Sequence, residues 1–249
     1  ALPWGAGLWQ SISSMLTNLS QKRPVIITGA DQAYARTLWQ FLRSAERAQV
    51  SATHRWLVYD LGLSLAWRDR LTRDFPWITV RSFDFSAYPP HLALERRSYA
   101  WKPVIIDEVL DEFEAPVLWL DSATIAKSDL SEPFAIMKKY GVVTLKGKPA
   151  LGDHCDPRVL KELEVSPELL HLPERVAGVV GFDPSHAVAR EICQAWARHA
   201  LIESHIMPPD AMEDHKPEQA VLSALLYTAE AEGLITLNQD EVDISSGRP

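Results

Sequence analysis

Four acidic residues, one lysine and one histidine stand where this sequence could carry chemistry. Asp121 directly follows the apolar run Val117-Leu-Trp-Leu120. A carboxylate at the mouth of a buried strand can hold a hard divalent cation that bridges a diphosphate, or it can cap a turn. Asp60 ends the run Arg55-Trp-Leu-Val-Tyr59 and can accept hydrogen bonds from a ribose or a base, or close a turn before Gly62. Thr28-Gly29-Ala30-Asp31 follows the β-branched run that starts at Pro24. Gly29 lets backbone approach a ligand, and a following helix N-terminus offers free N–H groups to an anion. The plain alternative is a strand-to-helix turn capped by Asp31. Lys102, just ahead of a helix start in Tyr99-Ala-Trp-Lys-Pro103, can neutralise phosphate oxygens or simply be solvated, and Arg96 and Arg97 add positive charge nearby. His215 and Glu218, three apart at the opening of the last helix, suit acid–base work or phosphate contact, or a capping cluster.

Other candidates are weaker. Asp153-His154-Cys155-Asp156 has metal-ligand residue types, but neighbours in an extended loop point in opposite directions. His199 and His205, if both lie on one helix, are about 240° apart and share no face. G-x-G-x-x-G is absent. Gly141-Val-Val-Thr-Leu-Lys-Gly147-Lys148-Pro149 has neither the spacing nor the Ser/Thr of a P-loop, and there is no G-x-S-x-G.

The elements that must position these residues follow from apolar periodicity. Strands are expected at Pro24–Thr28, Arg55–Tyr59, Trp77–Val80, Val117–Leu120, Val142–Leu145 and Val176–Gly181. Tyr34, Leu38, Phe41, Leu42 and Ala45 fall on one helical face behind Asp31. Tyr99–Phe113 reads as a helix with a wide apolar stripe and Pro103 in its first turn. Pro184 to Ile202 and Pro217 to Ala229 read as two more. Short strands alternating with helices imply an α/β fold with a mostly parallel sheet flanked by helices. In such sheets ligands bind beyond the carboxyl ends of the strands, where Thr28–Asp31, Asp60 and Asp121 converge. One domain is the simplest organisation, with an amphipathic helix over residues 1–20 (Trp4, Leu8, Trp9, Ile12 and Leu16) and a polar tail over 238–249 that is expected to fray.

Composition restricts the function classes. Hydrophobic residues make up 47% and the net charge is −8, from Lys+Arg 25 against Asp+Glu 33. An acidic chain of ordinary apolar content forms a core and lacks the basic surface that nucleic acid or anionic membrane demands. No apolar run reaches the ~18 residues of a bilayer span. The two cysteines, Cys155 and Cys193, exclude a disulfide framework and favour two free thiols in the core.

Five segments occur in order: Tyr59-Asp-Leu-Gly-Leu63, Tyr99-Ala-Trp-Lys-Pro-Val-Ile-Ile106, Leu118-Trp-Leu-Asp-Ser122, Trp196-Ala-Arg-His-Ala-Leu201 and His215-Lys-Pro-Glu-Gln-Ala-Val-Leu-Ser223. Together they resemble the DUF1647-type family of nucleotide-diphospho-sugar transferases, whose pattern runs YDLGL, YAWKP, WMDSS, W-x-x-CAL and HR-x-DQSAL. The resemblance spans roughly Val25 to Tyr227, and the layout is similar to a Rossmann-like GT-A glycosyltransferase. It implies transfer of a sugar from a nucleotide diphosphate to a hydroxyl acceptor, a glycan or surface polysaccharide. Thr28, Gly29, Ala30, Asp31 and Asp60 would hold the nucleoside. Lys102 and Asp121 would lie near the diphosphate, and His215, Glu218 and Gln219 on the acceptor side. Asp121 would be the ligand of a Mn2+ or Mg2+ ion. Glu218 and Asp153 are the candidates for the base that an inverting transfer needs.

The chain departs from that pattern in three places. Asp121-Ser122-Ala123 lacks the second acid of D-x-D, so the metal is in question and a metal-independent site is the alternative. Glu218 replaces the family's Asp. His199 and His205 replace its cysteines, which removes the expected extracytoplasmic disulfide and favours a cytoplasmic, at most membrane-peripheral, member over a secretory one. Two other readings stand beside the transferase. One is a non-catalytic relative that binds sugar nucleotides or acts as a scaffold; the other is an unrelated α/β enzyme acting on phosphate esters.

Overall fold

The computed structural model describes residues 23–239 and 244–246. The helix expected over 1–20 lies outside the described residues. The first strand, β1 (Val25–Ala30), is buried along its whole length, as a parallel strand covered on both faces must be. It runs two residues further than the apolar run alone indicates. Asp31 then caps the turn that follows: its Oδ1 accepts the N–H groups of Ala33 and Tyr34 at 3.0 and 3.2 Å. Helix α1 (Ala35–Arg47) buries Ala35, Leu38, Phe41, Leu42 and Ala45, while Tyr34 turns outward.

Strands β2 (Arg55–Asp60), β3 (Ile78–Ser82) and β4 (Val117–Leu120) complete the parallel part of the sheet. Helices α2 (Leu65–Asp74) and α3 (Trp101–Phe113) connect them. Then come a short strand β5 (Thr124–Ile125) and helix α4 (Ser131–Tyr140). Strands β6 (Val142–Ala150) and β7 (Pro173–Phe182) follow, with the short helices α5 (Leu151–His154) and α6 (Pro157–Glu162) between them. The chain continues through α7 (Ala187–Ala200), α8 (Glu203–Ile206) and α9 (Pro217–Ala231) to β8 (Ser245–Ser246).

The six-stranded sheet has the order β3-β2-β1-β4-β7-β6. β1 pairs in parallel with β2 and β4, and β2 with β3, whereas β7 runs antiparallel to both β4 and β6. Alternate residues feed two cores. Ile27, Leu57, Trp119 and Phe182 pack with α3, α7 and α9; Ile26, Trp56, Leu118 and Val143 pack with α1, α2 and α4. The tail is docked where it is described. Asn238 is buried and exchanges hydrogen bonds with Thr144, Ile244 is buried, and β8 pairs with β5. At those residues the expected fraying is not found: the Asn238 side chain satisfies both the N–H and the carbonyl of Thr144 in β6. Among the described residues no helix is long and apolar enough to cross a membrane, and Cys155 and Cys193 are free and buried.

Candidate functional site

The three expected strand ends lie side by side, because β2, β1 and β4 are consecutive in the sheet. Beyond β4, two helix N-termini meet the carboxyl edge. Lys102 is the second residue of α3 and Glu218 the second residue of α9. Lys102 Nζ lies 3.1 Å from Asp121 Oδ1, 3.1 Å from Glu218 Oε1 and 3.3 Å from the Ala177 carbonyl. An ammonium has three hydrogens, so all three are committed within the protein. Trp119 Nε1 donates a second hydrogen bond to Asp121 Oδ1 at 2.7 Å. The Lys102 and Glu218 side chains are only 4% and 9% exposed, whereas that of Asp121 is 45% exposed. Burial pulls the Lys102 ammonium down, but Asp121 and Glu218 override this and hold its pKa above the ordinary lysine value.

The position of Glu218 follows from how α9 is tied to the sheet. β4 stops at Leu120, opposite Val179, but β7 continues toward Pro173. That leaves an edge of β7 whose buried amides need partners. Gln219 Oε1 accepts the Ala177 N–H at 3.1 Å, and Ser223 Oγ accepts the Arg175 N–H at 2.8 Å. Gln219 and Ser223 are four apart and share a face of α9, so the helix side chains stand in for the missing strand. Trp196 Nε1 adds a bond to the Glu218 carbonyl at 2.8 Å. Gly178 makes room for the acid: a Cβ there would sit 2.9 Å from Asp121 Oδ2.

Tyr99 lies beside the lysine, and Arg97, which the sequence offers only as added positive charge, stands two residues before it. Both have positive φ, 51° and 54°, which is uncommon outside glycine and an outlier for a bulky side chain. Tyr99 is 43% exposed and its ring centre is 5.9 Å from Lys102 Nζ. Burial raises the Tyr99 phenol, with Glu218 and Tyr34 adding to it and Lys102 and Arg97 opposing. The available signal was the Tyr99-Ala-Trp-Lys-Pro103 segment itself, which pattern alone reads as a helix start.

The other expected residues are placed differently. Thr28 is fully buried inside β1, two residues short of the strand end, and its hydroxyl has no partner among the described residues. Gly29 and Ala30 are likewise within β1, and a Cβ at Gly29 would meet Leu61 and Tyr59 at 3.2 Å. Asp31 spends its carboxylate on the cap. Asp60 acts as the turn residue: its Oδ1 accepts from Gly62 N at 2.8 Å and Leu63 N at 2.6 Å, and its Oδ2 lies 3.1 Å from Arg68. Asp153 is exposed and accepts the Ala150 N–H at 3.2 Å, as a helix cap does. His215 is buried with both ring nitrogens occupied. Nδ1 accepts the Asp156 N–H at 3.2 Å and Nε2 faces the Ile206 carbonyl at 2.7 Å. It thereby pins the loop before α9. His199 and His205 do meet, with Nδ1 atoms 2.8 Å apart. The helix they were assumed to share ends at Ala200, and His205 belongs to α8.

The divalent cation that the resemblance implies finds a poor donor set. Asp121 Oδ1 is taken by Lys102 and Trp119, Ala123 stands where the second acid would be, and Glu218 is paired to Lys102. Among the described residues no group of three His, Cys, Asp or Glu side chains is placed to hold a metal ion. The described side chains do not by themselves build a site for a resident ion.

The architecture itself is found in solved enzymes. The chain overlays on the galactosyltransferase LgtC with a TM-score of 0.53 at 17% identity, over 81% of this chain and 70% of that one. The core-mannan synthase CmsA/Ktr4 of Aspergillus fumigatus gives a TM-score of 0.55 at 8% identity, over 82% and 69%. The fold is a GT-A fold. The bifunctional glycosyltransferase WbbM matches with a TM-score of 0.52 at 17% identity, and there this chain covers 82% of itself but spans only 37% of the other protein. In sequence, the family described as protein of unknown function (DUF1647) matches residues 10–107. That match includes Tyr59–Leu63 and Tyr99–Pro103 but stops before Asp121 and Glu218. No curated protein sequence matches the chain.

Proposed function

We propose that this GT-A domain transfers a sugar from a nucleotide diphosphate to a hydroxyl acceptor. One observation carries the reading: a buried lysine holds two carboxylates, Asp121 and Glu218, at the carboxyl edge of the sheet, where such folds bind ligands. In the reaction the bond from the sugar's anomeric carbon to the diphosphate breaks, a bond to the acceptor oxygen forms, and the acceptor hydroxyl gives up its proton. Asp121 Oδ2 has no described protein donor and is the acceptor for a donor-sugar hydroxyl. Glu218 Oε1 is fixed by Lys102, which leaves Oε2 to take the acceptor's proton. Lys102 touches neither substrate in this scheme; it keeps both acids oriented. Since the donor set does not suit a resident metal, no step is assigned to one, and preformed dipoles and charges stabilise the departing diphosphate.

Calorimetry with UDP, GDP and CMP, with and without manganese, followed by hydrolysis assays of the matching nucleotide sugars, tests the proposal. One nucleotide is expected to bind, and its sugar to be turned over. Asp121→Ala is expected to abolish that turnover while leaving the melting curve cooperative. Binding without turnover by any acceptor would favour the non-catalytic relative, for which the missing acid at Ala123 speaks. If no nucleotide binds, the domain does not work on activated sugars.

A further inference from the structure

The two chain segments that lead into Tyr99 and Glu218 also wall a cleft of about 450 Å3, a volume usual for small-molecule sites. Glu95 and Arg96 form one wall, and the loop from Met207 to Glu213, together with His215, forms the other. The ion pair of Arg96 Nη2 with Glu203 Oε1, at 2.7 Å, ties the first wall to α8, from which the second departs. Each wall reaches the Asp121–Lys102–Glu218 cluster within three residues. His215 stands three before Glu218, and Arg96 three before Tyr99, whose ring centre is 5.9 Å from Lys102 Nζ. Three residues span at most about 11 Å, so the cleft adjoins the acid assigned to the acceptor's proton.

The lining has a definite chemistry. Pro208 is buried and Met207, Ala211 and Met212 are half-buried, which offers apolar surface to the C–H face of a sugar ring. Glu95, Asp210 and Glu213 are exposed. Glu95 and Glu213 have no ion pair or side-chain hydrogen bond among the described residues, and Asp210 acts only electrostatically, on Arg158. The one guanidinium in the lining, Arg96, is already paired with Glu203. Arg97 and Lys216, next along each wall, do not line the cleft, and Arg158 is held by Asp156 and by the Pro209 and Asp210 carbonyls. His215 has both ring nitrogens occupied. Carboxylates accept hydrogen bonds and donate none. They suit the hydroxyls of an uncharged sugar and repel a uronate or a phosphate.

We infer that this cleft seats the acceptor and selects an uncharged glycan over an acidic one. The inference rests on the glycosyl-transfer reading above. The test is ligand-observed NMR of the full chain with methyl glycosides and disaccharides of glucose, galactose and mannose, and with glucuronic and galacturonic counterparts, at low and high salt. Calorimetry with UDP, GDP and CMP runs in parallel. A neutral saccharide is expected to bind, and its uronic counterpart at least about ten-fold more weakly, with the gap narrowing at high salt. Glu213→Lys, an exposed change, should erase or reverse that preference. Ala211→Trp should fill the cleft and remove saccharide binding. Both variants should keep the wild-type nucleotide affinity; should Ala211→Trp fail to fold, Glu213→Lys alone decides. Equal binding of neutral and uronic saccharides, no saccharide binding at all, or an unchanged preference in Glu213→Lys would overturn the inference, and nucleotide-sugar turnover would then leave the transferase standing. Saccharide binding by a protein that binds no nucleotide would remove the transferase reading, and the acceptor role with it.

Discussion

Replacing Lys102 by Met removes the ammonium but keeps much of the side chain's volume. The cost is set by what is left behind. Glu218 is 9% exposed and loses its ionic partner inside the protein; breaking a buried pair from one side typically costs about 3–5 kcal/mol. Asp121 is 45% exposed and keeps its bond from Trp119, so water screens most of its share, about 0–1 kcal/mol. Urea unfolding of the single variant should thus show a loss of about 3–5 kcal/mol. Adding Glu218→Gln to Lys102→Met should recover about 1–3 kcal/mol of it, since contacting residues couple on that scale. Adding Asp121→Asn should recover less than about 1 kcal/mol. The reasoning is refuted if Lys102→Met loses under about 1 kcal/mol, or if the Asp121 change rescues more than the Glu218 change.

Gly178→Ala places a methyl 2.9 Å from Asp121 Oδ2, so a cost of about 1–3 kcal/mol is expected together with weaker nucleotide binding, read by melting and calorimetry; equal affinity would mean that Asp121 is free to move. Ser223→Ala leaves the buried Arg175 N–H without its partner at 2.8 Å, and denaturant midpoints should register a loss of about 1–3 kcal/mol. Burial, then His205 and Arg198, lower the pKa of His199 below 6.5. The unfolded chain therefore binds the proton more readily, so this group's contribution to stability is full above pH 6.5 and is lost as pH falls below it toward the lowered value. Unfolding midpoints at pH 7.5 and 5.5 should differ less in His199→Gln than in the wild type.

The parallel half of the fold was written plainly in the sequence. Val117–Leu120 is bounded by Pro116 and Asp121 and appears as read, and α3 has the wide buried face that its nine apolar and stem-rich positions imply. Where pattern was thin, elements were lost. Helix α2 buries only Leu71, and α4 opens with a proline in its first turn, so neither gives a sustained stripe. Strands β6 and β7 were read short because their outer halves alternate with charged residues and are paired through bulges. At the site, residue type found Asp121, Lys102 and Glu218, since a carboxylate after a buried strand is visible one-dimensionally. It offered the turn at Asp60 as one of two readings, but it could not find that Lys102 spends every hydrogen inside the protein, that Asp153 caps a short helix, or that Arg97 and Tyr99 adopt left-handed backbone. The lysine's bonds depend on partners far away along the chain, Ala177 and Glu218; the others are local backbone geometry that residue type alone does not fix.

The seam between α9 and β7 has a mechanical consequence. Because Gln219 and Ser223 are each bound to a sheet amide, the helix is indexed to the strand like a key to its wards. A rotation by one residue would strip both bonds together, and a slide of one turn would offer Tyr227 to the amide now served by Ser223. The acid at 218 thereby inherits the rigidity of the central sheet, although the loop that leads to it runs along the surface.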